Sequence, residues 1–256
     1  MKKLLAIILS VVLLLASMSA LSATAAEVTQ ENGIYYATNV TRAESGFDMQ
    51  GTSKCAYFCA NGLPITITDR TDGVKGCRIA WEYGGEPFAM DIPAASIVCG
   101  GGWDLPCAST SVTMSAGTIL YGVFGGGVKE TAIVGSAEAP GTVSVLITGG
   151  EFYDGIVGGG IRADVYGDID VVVGGDSTVA ENVIGGGFWG DVYGTTDVLL
   201  NGGSYGARVS ATFICAAGVF GDAYVASVRG MTCRPPFKYI VCRYIFSAFV
   251  GIIKPD

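Results

Sequence analysis

The sequence contains no histidine. This absence excludes hydrolases of the serine–histidine kind, because histidine is the general base that activates their nucleophile. A zinc site would then need four thiolates, and the eight cysteines are spaced irregularly along the chain. Neither histidine-based hydrolysis nor a zinc site is therefore predicted.

Basic residues are also scarce. The chain has 15 Lys and Arg against 23 Asp and Glu, for a net charge of −8. A chain of this charge repels a polyanion, so nucleic acid is not a predicted partner. The glycine-rich segments carry neither the lysine of a phosphate loop nor a Gly-x-Gly-x-x-Gly that opens a helix. The sequence predicts no nucleotide and no other cofactor.

Residues 1–26 have the pattern of a secretory signal peptide. Two lysines precede an apolar run that begins at Leu4, and small residues follow up to Ala26. Cleavage would leave a mature chain that begins at Ala26 or Glu27, and a retained N-terminal anchor is the alternative. The pattern predicts a protein that is secreted or displayed at the cell surface.

Residues 231–256 form an atypical apolar tail. Its stretch from Tyr239 to Ile253 contains Arg243 and is shorter than the ~20 residues that a membrane helix needs. No stable membrane insertion is therefore predicted once the signal peptide has been removed. The tail also fits a truncated or frame-shifted gene.

The main internal signal is a triple glycine that recurs every 25 to 33 residues. Two apolar or small residues precede each triplet, and a degenerate fifth copy runs from Ile214 to Gly218. A period of this size is typical of a solenoid coil or of a propeller-like strand array. The triplets occupy residues 100–102, 125–127, 158–160 and 185–187.

Two other sequence motifs recur once for each triplet. A short apolar run that ends in glycine follows each triplet, as in Val145-Leu146-Ile147-Thr148-Gly149-Gly150. Such runs are typical of strands, and the closing glycines supply turns with positive φ. Aspartate and tyrosine recur at one offset from the triplet, in Asp164-Val165-Tyr166, Asp191-Val192-Tyr193 and Asp222-Ala223-Tyr224.

These elements predict an all-β protein, a parallel β-solenoid of about four to five coils with an N-terminal β cap. A propeller-like array is the alternative. One coil buries too little apolar surface alone, so the copies must stack. Residues 96–230 would form the repeats, and residues 27–95 a separate module or a cap over the first coil. Within 27–95, an Asp72-Gly73 turn is predicted to join two strands, 65–68 and 78–85.

Cys99 and Cys107 bracket a short loop, and a disulfide between them is the pairing that the spacing favours. The pairing of the other cysteines stays open. Oligomeric state and coil handedness also stay open.

The stretch 109–117 followed by 123–127, with its later copies, resembles the glycine-rich repeat regions of bacterial surface proteins called adhesin-like. The resemblance covers about residues 96–226. It implies a right-handed parallel β-helix or a related solenoid, and it transfers no catalytic residue. The Leu-Pro-x-Thr-Gly sorting motif of many such proteins is missing, so the resemblance does not extend to covalent wall anchoring.

Five residues are candidates for ligand binding. Asp168 and Asp170 are two apart and would share a strand face, where they could meet a cation or a sugar with Arg162 nearby. The alternative is that these aspartates only shape the entry of a turn into a strand. Tyr166 and Tyr193 would stack in a ladder that contacts sugar rings or packs coil against coil. The aspartates of the ladder could hold calcium, but the calcium nonapeptide pattern is not met, and no metal is predicted.

Two functions remain. The first is an exported, non-catalytic structural or adhesive repeat protein that binds a surface glycan or a surface protein. The alternative is a β-helix enzyme that degrades polysaccharide with Asp168, Asp170 and Arg162. An enzyme needs these three residues gathered in one groove, whereas a structural module would have them spread or exposed.

Overall fold

The computed structural model describes residues 29–31, 34–37, 39–47, 54–206, 212–216, 218, 223–229 and 239–242. Within these ranges the chain is all-β and contains no helix. The strands are β1 Thr29–Glu31, β2 Ile34–Ala37, β3 Val40–Phe47, β4 Lys54–Cys59, β5 Ile65–Thr68, β6 Gly76–Tyr83, β7 Glu86–Pro93, β8 Ser96–Cys99, β9 Thr110–Met114, β10 Thr118–Ile119, β11 Val123–Phe124, β12 Gly141–Ile147, β13 Glu151–Phe152, β14 Gly155–Val157, β15 Gly167–Val179, β16 Asn182–Ile184, β17 Val192–Tyr205, β18 Thr212–Cys215, β19 Ala223–Arg229 and β20 Tyr239–Cys242.

The strands form two mixed sheets. Sheet A has the order β1-β2-β3-β4-β8-β11-β14-β16-β18-β20. Sheet B has the order β10-β13-β15-β12-β9-β5-β6-β7, and β17 joins it between β15 and β19. Pairing is antiparallel from β1 to β4 and from β5 to β7, and every other pairing is parallel.

Sheet B shows why its sequence forms strands. In β12 the side chains alternate strictly, with Val143, Val145 and Ile147 buried and the residues between them exposed. This period of two matches the pleat of a strand that has one face in a core and one in water. The inward valines stack in register across the parallel strands, in the order Val112, Val145, Val171 and Val198.

The middle strands of sheet A are buried on both faces. The strands β8, β11 and β14, which precede triple glycines, consist only of buried residues. One face contributes Val98, Val123 and Ile156 to the main core between the sheets. The other face contributes Cys99, Phe124, Val157 and Ile184 to a second apolar cluster, against which the Trp103 and Phe188 side chains pack.

The triple glycines allow the backbones of successive copies to pack closely against each other. A Cβ on Gly126 would lie 2.6 Å from the backbone nitrogen of Gly160 and 2.9 Å from the carbonyl carbon of Gly159. None of the triplet residues has a positive φ. The glycines that end the strands of sheet B differ, because Gly117 and Gly150 both have φ of 108°. The predicted role of positive φ is therefore confirmed at the strand ends, while the triplets are glycine because backbones of successive copies approach too closely for a side chain.

The predicted hairpin in the N-terminal region is confirmed. β5 and β6 pair antiparallel, with Ile65 opposite Trp81 and Thr68 opposite Arg78, and the Asp72-Gly73 turn lies between them. In the turn, Arg70 pairs with Asp72, and this hydrogen-bonded ion pair lowers the pKa of Asp72 to about 2. Parallel pairing begins before residue 96, because β4 pairs with β8 and β5 pairs with β9.

The strands β6 and β7 cover the N-terminal end of the main core. Trp81 packs against Phe58 with ring centroids 5.5 Å apart, and Phe88 stacks on Trp81 at 6.0 Å. Phe88 and Met90 of β7 pack against the core while remaining partly exposed. This arrangement supports a capping role for this part of the 27–95 region.

The structure places Cys99 in the second apolar cluster and Cys107 against the main core, so the predicted Cys99–Cys107 disulfide is wrong. The neighbours of Cys99 across the sheet are Cys59 and Phe124, whereas Cys107 pairs with Val134 in a separate line of isolated bridges. The two thiols therefore belong to different columns of the fold, although only a short loop separates them in sequence.

The predicted signal peptide, residues 1–26, and most of the 231–256 tail lie outside the described residues. Within the part of the chain that the structure describes, no helix is both long enough and apolar enough to cross a membrane.

Candidate functional site

A third line of contacts runs beside the two sheets. Isolated parallel bridges join Cys107, Val134, Val165 and Val192, one residue from each of four successive copies. Around Val192 exposure alternates: Trp189 and Tyr193 are exposed, Asp191 is partly exposed, and the residues between them are buried. The previous copy presents its residues in the same way. We call these six residues the outward array: Arg162, Asp164, Tyr166, Trp189, Asp191 and Tyr193.

Each residue of one copy in the outward array contacts its counterpart in the next. The Arg162 guanidinium lies over the Trp189 ring, 5.7 Å from its centroid. An Asp164 carboxylate oxygen accepts a hydrogen bond of 2.9 Å from the backbone N–H of Asp191. The rings of Tyr166 and Tyr193 stack with centroids 4.5 Å apart and planes within 12°. The predicted tyrosine ladder is confirmed for these two rings, while the side chain of Tyr224 lies outside the described residues.

The Tyr193 hydroxyl stays protonated at physiological pH. Desolvation raises the pKa of Tyr193 to about 12, and the nearby carboxylates of Asp164 and Asp191 act in the same direction. The side chain is 43% exposed, although one ring face is covered by Tyr166. The stack therefore packs copy against copy and offers water a neutral hydroxyl that can donate and accept hydrogen bonds.

Asp168 and Asp170 lie elsewhere, on the outer face of sheet B. Both are exposed on β15, as the two-residue spacing predicts. One Asp168 carboxylate oxygen accepts hydrogen bonds from the backbone N–H and the hydroxyl of Thr195, each at 2.8 Å. These bonds lower the pKa of Asp168. Its carboxylate thus accepts from two donors on the next copy, a structural contact that differs from the shaping of a turn that the sequence offered as the alternative to ligand binding.

Asp170 has a different environment. It stands in register between Ser144 of β12 and Asp197 of β17. Like charges directly opposite each other repel, so this position gives Asp170 no stabilising partner across the sheet. Within the described residues, no ion pair joins Arg162 to Asp168 or Asp170. The structure places the two acids on one face and holds the guanidinium against Trp189.

Three other residues that follow triplets, Trp103, Lys129 and Trp189, were not predicted from the sequence to be functional. Lys129 lies 5.5 Å from the ring centroid of Trp103 and 3.9 Å from a carboxylate oxygen of Asp104. The backbone N–H of Trp189 donates to Ile161, and that of Lys129 donates to Trp103, so these segments stack copy on copy. Lys129 and Trp189 each stand four residues after the first glycine of a triplet, so this shared offset could have identified them, whereas Trp103 stands three residues after its glycine.

No described group of three or more Cys, Asp or Glu side chains is arranged to hold a metal ion. The ladder aspartates, which carried the calcium alternative, make the Asp164 to Asp191 backbone contact described above. Comparisons of the chain with protein-family models, with curated proteins and with solved structures found no match.

Replacing Asp168 by alanine is expected to lower the free energy of unfolding by about 0.5–1.5 kcal/mol at pH 7, because the Thr195 donors lose their acceptor. A lowered folded-state pKa contributes stability above the unfolded pKa of about 3.9, and this contribution is lost as the pH falls below it. The difference between wild type and Asp168→Ala, measured by urea denaturation, should therefore shrink between about pH 5 and pH 3.

Asp170→Ala is the matched control, since Asp170 occupies the same face and opposes Asp197. Its removal should change stability by less than about 0.5 kcal/mol or raise it slightly. Equal losses in the two variants would contradict the assigned role of Asp168.

Proposed function

We propose that this protein is an exported, non-catalytic parallel β-solenoid that binds an extracellular glycan through its outward array. The observation that carries the proposal is the contact of each array residue with its counterpart one copy further on. Such stacking places equivalent positions of two successive copies side by side on one surface, with an arginine over a tryptophan, an aspartate beside an aspartate and a tyrosine on a tyrosine. A long ligand with a regular repeat can contact a surface of this kind at several points.

The pairing pattern supports a solenoid over a propeller. Propeller blades are separate antiparallel sheets arranged around a centre. In the strand order of sheet A, every pairing from β4 to β20 is parallel. Each step along this sheet advances by one copy of the repeat. A solenoid coil has this connectivity, because each copy returns to the same sheet one strand further along.

Two observations support binding without catalysis. The candidate acids Asp168 and Asp170 lie on the flat outer face of sheet B, while Arg162 packs on Trp189. The Asp168 carboxylate is also occupied by Thr195, and its pKa is lowered, which is unsuitable for a general acid near neutral pH. A polysaccharide-degrading enzyme would require these groups to converge on one glycosidic bond.

The outward array has the chemistry of a sugar-binding surface. Arg162 lies over the Trp189 ring and Phe188 packs against it at 4.4 Å, but Trp189 is still 41% exposed and presents the rest of its apolar surface to the C–H groups of a pyranose. Arg162 and Asp191 provide a donor and an acceptor for hydroxyl groups. Tyr193 adds a neutral hydroxyl on the same side of the segment. A surface protein is the other partner class, and the experiment below separates it from a glycan.

The test is a glycan array probed with the purified full-length mature chain, together with a reducing-sugar release assay on the same polysaccharides. We expect binding without release. Trp189→Ala should weaken binding by about tenfold or more, as exposed aromatic anchors do. Tyr83→Ala is the matched control, because Tyr83 is 47% exposed on β6, in the capping region, and its removal should leave affinity unchanged.

Three results would contradict the proposal. Absence of binding to every glycan would remove the glycan as partner. Equal loss of affinity in the Trp189 and Tyr83 variants would move the site away from the outward array. Sugar release that disappears in Asp170→Asn would establish the enzyme alternative.

A further inference from the structure

One column of sheet A begins and ends with cysteine pairs. Register places a single residue from each of seven strands in this column, and the middle positions are apolar. Cysteines fill the first two and the last two positions. In order, the column is Cys59, Cys99, Phe124, Val157, Ile184, Cys215 and Cys242.

The first pair is buried and in register. Cys59 and Cys99 are both fully buried and lie opposite each other on β4 and β8, and burial, together with the neighbouring Cys59 thiol, raises the pKa of Cys99. Residues opposite each other on parallel strands have Cα atoms ~4.8 Å apart, within the range of about 4.4–6.8 Å that disulfides span. The backbone thus already holds these two residues at a bridging separation.

The last pair has the same backbone placement. Cys215 of β18 and Cys242 of β20 are opposite each other on parallel strands. No other cysteine of the described residues faces a cysteine in register: Cys77 is opposite Ile92, and Cys107 is opposite Val134. Register therefore divides the cysteines that the structure describes into two pairs that face each other on adjacent strands and others that do not.

We propose that Cys59–Cys99 and Cys215–Cys242 form disulfides that join neighbouring strands at the two ends of this column. Each bond forms by thiol–disulfide exchange with an oxidised dithiol protein or a small-molecule disulfide. The thiolate of one cysteine attacks the donor disulfide, and the second thiolate then displaces the donor from the mixed disulfide. Two cysteine thiols lose two electrons and two protons, and the donor is reduced to two thiols.

The exchange takes place while the chain is folding. Burial raises the pKa of Cys99 well above its ordinary value, so the folded protein contains almost no Cys99 thiolate. Because the thiolate is the reacting species, a chain that folds in reduced form keeps its thiols. The inference concerns the folded chain itself and does not depend on the proposed glycan binding.

The experiment starts from reduced, denatured full-length mature chain, refolded in a buffer of reduced and oxidised glutathione. After denaturation, remaining thiols are alkylated, and the protein is digested with trypsin and chymotrypsin together. Chymotryptic cleavage at Tyr57, Phe58 and Trp103 separates Cys55 from Cys59 and Cys99 from Cys107. Mass spectrometry of the linked peptides then identifies each pairing, and no variant is needed.

We expect peptides that link Cys59 to Cys99 and Cys215 to Cys242, with Cys77 and Cys107 alkylated. Complete alkylation of Cys59 and Cys99, or a link from Cys99 to Cys55 or Cys107, would overturn the first bridge. Alkylation of Cys215 or Cys242, or a link from either to another cysteine, would overturn the second.

Thermal unfolding provides a second readout. Reduction of the oxidised chain should lower Tm by about 5–12 °C, because each bridge restricts the unfolded ensemble. In Cys59→Ala/Cys99→Ala the shift should be smaller, whereas Cys77→Ala/Cys107→Ala should keep the full shift. An equal shift in both double variants would overturn the role assigned to the Cys59–Cys99 bridge.

Discussion

Val171→Asp is expected to abolish folding, whereas Val172→Asp, one residue further along, is expected to leave the protein folded. Val171 is fully buried between Val145 and Val198, its neighbours in the inward column of sheet B. A carboxylate there would have no partner. Burying an unpaired charge costs more than the net stability of roughly 5–15 kcal/mol that a folded protein usually has. The alternative, protonating the buried carboxyl group, itself costs several kcal/mol.

Val172 is the matched control because it lies on the outer face of the same strand. Its register neighbours are Leu146 and Leu199, of which Leu146 is exposed. Aspartate at this position should cost about 1 kcal/mol through its lower strand propensity. Far-ultraviolet circular dichroism and urea denaturation measure both variants. Equal tolerance of the two substitutions, or a folded Val171→Asp protein, would contradict the inward orientation of Val171.

Gly126→Ala is expected to lower the free energy of unfolding by about 3 kcal/mol or more. The added Cβ would meet only backbone atoms, with the nitrogen of Gly160 2.6 Å away and its Cα 2.8 Å away. No flexible side chain can move aside, so the separation of two successive copies must increase locally. The loss should be visible as a lower urea midpoint with an unchanged dependence on urea concentration.

Gly73→Asn is the control for this substitution. A Cβ on Gly73 meets nothing within 4 Å, and its φ of 72° is one that asparagine tolerates. This change should cost less than about 1 kcal/mol. A Gly126→Ala protein as stable as Gly73→Asn would show that the copies are not in close backbone contact at the triplets.

The repeat signal in the sequence predicted which residues align. Valines 145, 171 and 198 end in one column, and each stands four residues before a glycine that closes its run, namely Gly149, Gly175 and Gly202. The tyrosines of the outward array align for the same reason. Periodicity is thus a reliable guide here, since stacked parallel strands place equivalent residues of successive copies side by side.

The first copy of the repeat could not be recognised from the sequence. Phe58-Cys59-Ala60-Asn61-Gly62 takes the place of an apolar pair with its triple glycine, and the backbone N–H of Ala60 and of Asn61 donate to Cys99 and Gly101. Alanine and asparagine replace two of the glycines in this copy, so the motif was not visible. Because these two residues hide the repeat, the sequence does not predict that Cys59 and Cys99 are in register. It favours instead a disulfide between Cys99 and Cys107, which only a short loop separates.

In the candidate site, closeness in sequence does not predict which side chains are in contact. Arg162 is six residues from Asp168, yet the guanidinium contacts Trp189 of the next copy. Asp168 in turn bonds Thr195 and not the adjacent Asp170. In a stacked fold the nearest side chain to any surface residue is the equivalent one in the next copy, ~4.8 Å away. Sequence proximity could not reveal these contacts before the register was known.

Successive copies pair in parallel and in register. Nuclear Overhauser measurements between backbone protons of Val145, Val171 and Val198 in a deuterated sample test this pairing most directly. We predict cross-peaks between Val145 and Val171 and between Val171 and Val198, and none between Val145 and Val198, which lie two strand spacings, ~9.6 Å, apart. Cross-peaks that join Val171 to residues of an antiparallel or shifted register would contradict this pairing.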